Sequence, residues 1–160
     1  MTIPAVPDVT DSDLFISRTF AAPRDVLWRF WTEPEHLAKW FGPAEVHIDD
    51  ASVIVEPHVD GRWELDMVDN DSGARDPMRA VLRVVIEPEY LEGFVETASD
   101  GEISGVTLRV WFHDHGDRTR ITIHQGPFLE EHLELSRVGW ESSFEKLDAI
   151  FATTGAGGAS

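Results

Sequence analysis

Apolar and polar positions change their rhythm twice along this chain. "DLFISRTF" (13–20) alternates and is rich in β-formers, which predicts a first strand. The period then lengthens. "APRDVLWRFW" (22–31) sets Val26, Leu27, Phe30 and Trp31 on one face, with Pro23 suited to a first turn, so it predicts a short amphipathic helix. Thr32 and Glu35 have the spacing of a capping box, which predicts a second helix broken from the first. Leu37, Trp40 and Phe41 fall on its buried side, and Gly42-Pro43 stops it.

From Glu45 the period becomes two. "EVHIDDASVIVEP" predicts a strand with a bulge near Asp50 to Ser52. "GRWELDMVD" puts Trp63, Leu65 and Met67 on one face, and "NDSG" (70–73) turns the chain. "MRAVLRVVIEP" carries Met78, Ala80, Leu82, Val84 and Ile86 together. "YLEGFVETA" follows, then a turn at "DGE" (100–102). "GVTLRVWFH" sets Val106, Leu108, Val110 and Phe112 opposite Thr107, Arg109, Trp111 and His113. After "DHGD", Ile121, Ile123 and Gln125 share a face of "RTRITIHQ". Consecutive strands with tight turns predict an antiparallel meander. From Leu129 to Ala152 the pattern is helical again, with Leu133, Trp140, Phe144, Leu147 and Phe151 on one face and Gly139 interrupting it. The result is an α+β chain whose sheet curves around a long helix.

Composition narrows the function. With 160 residues the chain suits one domain at 13–152, preceded by a flexible arm at 1–12 and followed by a disordered tail at 153–160. The net charge of -17 disfavours nucleic acid and anionic membranes as partners. No cysteine is present, so disulfides and thiolate metal sites are excluded. "MTIPAVPDVTDSD" has no signal-peptide pattern and no apolar run approaches a membrane span, which predicts a cytoplasmic protein.

"RTFAAPRDVLWRFWTEPEHLAKWFGP" and "GWESSFEKLDAIFA", in this β-α-α-β6-α order, resemble the START-like (SRPBCC, Bet v 1-like) superfamily. Within it they are similar to the branch named after the activator of Hsp90 ATPase. The carriers are Ala22-Pro23, Trp31-Thr32-Glu33-Pro34, Trp40-Phe41-Gly42-Pro43 and Gly139-Trp140, and the likeness spans roughly residues 14 to 152. It implies a helix-grip fold: a curved antiparallel sheet of about seven strands wrapped around the C-terminal helix, with a cavity between them that in many relatives takes apolar small molecules. Where the family usually has a Pro-Gly-Gly turn, this chain reads "PHVDGRW", with one glycine.

Catalytic signals are weak. The seven histidines are scattered; only His113 and His115 cluster, in a hairpin turn, and His47 with His58 lacks a third ligand. There is neither a nucleophile elbow nor a phosphate loop. Glu56, Glu64 and Glu96 are the strand carboxylates that a general acid or base would draw on, and parity puts Glu64 outside. No metal, cofactor or catalytic residue is therefore assigned. The inward aromatic set points instead to a lined pocket. Its expected members are Trp40 and Phe41 from the elbow, Trp40 closing a mouth. Trp63, Leu65, Met67, Met78 and Leu82 come next along the chain. Leu108, Val110, Phe112, Ile121, Ile123 and Gln125 complete the strands, and Trp140, Phe144 and Leu147 come from the long helix. The leading function is binding or carrying a small hydrophobic molecule. A cyclase- or dehydratase-like enzyme and an Hsp90-type co-chaperone are the alternatives, and a homodimer stays open.

Overall fold

Period-two segments pair in sequence to make the sheet. In a computed structural model that describes residues 2–98 and 105–158, with side chains to residue 152, the strands are Leu14–Phe20 (β1), Val46–Ile48 (β2), Ile54–Val55 (β3), Arg62–Asp69 (β4), Arg75–Ile86 (β5), Tyr90–Thr97 (β6), Val106–His115 (β7) and Arg118–Gly126 (β8). The helices are Arg24–Thr32 (α1), Pro34–Leu37 (α2) and Glu130–Gly158 (α3). All strand pairings are antiparallel, in the order β1-β8-β7-β6-β5-β4-β2, with β3 on β4. The sheet curls into a half-barrel with the long C-terminal helix, the helix-grip arrangement of an α+β fold. Register brings inward residues face to face: Leu65 opposite Met78, Phe112 opposite Ile121, Leu108 opposite Gln125. No helix among the described residues is long and apolar enough to cross a membrane.

Local chemistry departs from the sequence pattern in several places. The capping box does not form. Thr32 instead donates its hydroxyl to the Trp28 carbonyl at 2.9 Å, and α2 begins with Pro34 in its first turn after a Glu33 cap. The strand expected from Glu45 to Pro57 is divided by a 3-10 turn at Asp50–Ser52, where the Asp49 carboxylate accepts from the Ala51 N–H, so eight strands replace about seven. Parity on β5 breaks after Leu82, where a register shift opposite β6 turns Val85 towards the core in place of Val84 and Ile86. The helical backbone of α3 runs to Gly158, beyond the expected limit at Ala152. The turn expected at 100–102 lies outside the described residues.

Trp111 faces away from the core, as its parity requires, yet only 4% of it is exposed. The N-terminal segment covers it: Pro4 accepts from the Trp111 indole N–H at 2.7 Å. Apolar surface on the convex side of the sheet thus gives the segment ahead of β1 something to hold.

Candidate functional site

The centre of the grip is filled. Trp31, Trp40, Phe20, Phe144 and Leu147 are fully buried between sheet and helix. Trp31 lies 4.9 Å from Trp40 and 5.7 Å from Trp140, centre to centre, while Phe144 meets Phe20 edge-on at 5.3 Å. Rings packed in these tilted, stacked and edge-on arrangements leave little space. What remains beside Trp31, Trp63, Leu82, Leu108 and Val110 is a void of about 10 Å³. Apolar walls give a water too few partners to stay there.

Open space lies at one end of the helix. A cleft of about 620 Å³ is bounded by Phe41 to Val46, by Met67, Asp76 and Met78 of β4 and β5, by Gln125 and Phe128, and by Leu135 to Ser143 of α3. Its size falls within the range of small-molecule sites. Gly42, at φ +90°, turns the chain out of α2 and forms part of the wall. Helix α3 pins this lip: Ser142 accepts from the Ala44 N–H at 2.8 Å, and Lys146 donates to the Pro43 and Val46 carbonyls at 2.9 and 3.3 Å. Burial pushes the Lys146 ammonium pKa down, which Glu45 partly offsets.

Of the expected pocket residues, five line this cleft: Phe41, Met67, Met78, Gln125 and Trp140. Trp63, Leu82, Leu108 and Val110 border only the small void. Trp40, Leu65, Phe112, Ile121, Ile123, Phe144 and Leu147 line neither; they are core. Trp40 does not close a mouth. It is fully buried, and its indole donates to the Phe30 carbonyl at 2.9 Å. Helix α2 is too short to lift the ring clear of the aromatic cluster beneath it.

One polar pair sits in the cleft wall. Gln125, 5% exposed, accepts at its side-chain oxygen from the Trp140 indole at 2.7 Å. The other candidate chemistry lies elsewhere. Glu56 pairs with Arg62, Glu64 lies 3.8 Å from Arg79, and Glu96 is exposed on β6. His113 contacts the Thr122 hydroxyl, while His47 contacts Asn70 and His58 contacts the Val59 carbonyl. Glu33, Glu35 and His36 have ligand atoms within 4.8 Å of one another, and within the group His36 Nε2 lies 3.3 Å from the Glu33 carboxylate.

The model of the family described as "Activator of Hsp90 ATPase homolog 1-like protein" matches residues 21–152. The chain belongs to that family. Among solved structures, a Nitrosomonas europaea protein superimposes with a TM-score of 0.76 at 22% identity, over 92% of this chain and 99% of its own. The AHSA1 protein of Silicibacter pomeroyi gives 0.74 at 22% identity, over 89% and 99%. A Chromobacterium violaceum protein gives 0.78 at 17%, over 89% and 98%. At these identities the likeness is one of fold. No curated protein matches the chain.

For this AHSA1-like chain, sequence reasoning missed most of the outer cleft wall. Pro43, Glu45, Val46 and Asp76 come from a loop and strand ends, whose side-chain direction periodicity does not set. Leu135 and Val138 are 59% and 53% exposed on α3, off the stripe that contains Trp140 and Phe144. Two exposed apolar residues beside a helix glycine were the available signal.

Proposed function

We propose that this AHSA1-like protein binds a small hydrophobic molecule in the end cleft. The reading rests on one observation: a cleft of about 620 Å³ with apolar walls of Phe41, Met67, Met78, Phe128 and Trp140, beside a core that is otherwise filled. Methionines give such walls adaptability, and an aromatic on each side offers flat contact area. The family relationship supports the same reading. No described residue argues for the Hsp90 partnership that the family's name carries.

The test is titration with N-phenyl-1-naphthylamine, an uncharged dye whose emission rises in apolar surroundings. Saturable binding to the parent protein is expected, with loss of binding in Gly139→Phe. A Cβ at Gly139 meets nothing within 4 Å, so the ring would enter the cleft without displacing core atoms. Absence of saturable binding to the parent, or equal binding to the variant, would overturn the reading.

A further inference from the structure

We infer that the occupant of the end cleft is an uncharged or cationic apolar molecule carrying a hydrogen-bond acceptor at its buried end, and that fatty-acid-like anions are rejected. This inference rests on the binding function proposed above.

The first argument is the state of Gln125. An indole N–H can only donate, so the 2.7 Å contact from Trp140 fixes the amide with its oxygen towards the helix. The amide nitrogen is turned away from Trp140 and has no hydrogen-bond partner among the described residues. It belongs to a side chain more than nine-tenths buried in the cleft wall. A hydrocarbon filling the cleft would strip water from this donor and return nothing. A carbonyl or ether oxygen would satisfy it. Ser143 does not offer a competing donor, because its hydroxyl donates to the Gly139 carbonyl at 2.8 Å.

The second argument is charge. Glu45 and Asp76 are the ionisable groups among the described lining residues. Lys146 stands behind the lip, its ammonium taken up by the Pro43 and Val46 carbonyls and paired in charge with Glu45, so it is not turned to the cleft as a counter-charge. A carboxylate seated deep would lose its hydration without a counter-charge. One left at the lip would stand beside Glu45, on a chain of net charge -17. Uncharged heads avoid both penalties, and a cation at the lip gains from them.

The experiment displaces N-phenyl-1-naphthylamine with four molecules built on one phenyl scaffold: butyrophenone, butylbenzene, 4-phenylbutanoate and 4-phenylbutylammonium. Butyrophenone should displace the dye at about fivefold lower concentration than butylbenzene, the value of one ordinary hydrogen bond. Phenylbutanoate should be at least about tenfold weaker than the ketone, and phenylbutylammonium should bind better than phenylbutanoate. In Gln125→Met, which keeps the length of the side chain and removes the donor, the ratio of ketone to hydrocarbon displacement should fall to about one. Equal displacement by ketone and hydrocarbon in the parent protein, or an anion as effective as the ketone, would overturn the inference. The parent comparison stands alone should Gln125→Met not fold. Dye that never binds the parent protein removes the binding function itself, and this inference with it. Dye that binds without discrimination removes only this inference.

Discussion

The Trp40 indole N–H reaches the carbonyl oxygen of Phe30 at 2.9 Å, tying the end of the second helix back onto the first. The bond lies in full burial, with Trp31 on one side and Phe144 stacked at 6.2 Å on another. Trp40→Ala should therefore cost about 4 kcal/mol of stability, and Trp40→Phe about 2 kcal/mol, through a carbonyl left dry. Phe144→Ala should also cost about 4 kcal/mol. Denaturant unfolding measures these losses. Dye affinity of whatever protein stays folded should be unchanged for Trp40→Phe; a fall in affinity with intact stability would return Trp40 to the binding surface.

Two glycines, one in a turn and one in a strand, should respond in opposite directions. At Gly61 a Cβ would stand 2.0 Å from the Glu56 carbonyl oxygen, in the tight turn before β4, and backbone cannot yield that far. Gly61→Ala should destabilise by about 3 kcal/mol. At Gly93 the same atom would meet Leu82 Cδ2 and the Val81 oxygen at 3.7 Å, ordinary contact, and would partly fill the void under Trp31. Gly93→Ala should stabilise by about 0.5 kcal/mol. Thermal unfolding of the pair gives both signs.

Gly139 lies inside α3, where glycine costs backbone entropy, and open space surrounds its missing Cβ. Gly139→Ala should raise stability by about 1 kcal/mol. Because Gly139 lines the cleft and an added methyl group would take up space there, the same variant should bind the dye more weakly. A stability gain with no effect on binding would mean the cleft is not where the dye sits.

Acid should weaken the junction before β1. Burial alone would raise the Asp13 pKa, but the Thr10 N–H and hydroxyl, both donating at 2.9 Å, with His124 at 3.3 Å, outweigh it and hold the carboxyl below its ordinary range. A depressed carboxylate leaves the unfolded chain binding more protons. Its stabilisation is therefore complete above the unfolded pKa of about 3.9 and drains away as pH falls through the lower folded value. Asp13→Asn should lose about 1 kcal/mol at pH 7, and the difference from the parent protein should shrink below about pH 3. Urea midpoints at the two pH values decide it.

Strand parity and the face of the long helix were legible because each residue there has one of two directions, and burial picks one. Trp63 and Leu65, or Ile121 and Ile123, follow from that rule alone. The rule failed on β5, where one register shift exchanged Val84 for Val85, and no residue there announces a bulge. The cleft was legible only in part for a different reason. Inward direction says that a side chain is buried, not whether neighbouring rings fill the space in front of it. Phe144 and Trp140 lie on the same helical stripe one turn apart and both pack into the core, yet only Trp140 is also cleft wall.

That separation gives the protein an optical asymmetry. Of its six tryptophans, Trp140 is the one among the residues lining the cleft; Trp31, Trp40 and Trp63 are sealed in the core, Trp28 packs edge-on against Phe112, and Trp111 lies on the far side of the sheet. A molecule entering the cleft alters the surroundings of one fluorophore and leaves five as an internal reference. Occupancy by an ultraviolet-transparent compound should therefore shift the emission by a small, saturable amount, and replacing Trp140 with phenylalanine should abolish the shift while most of the emission remains.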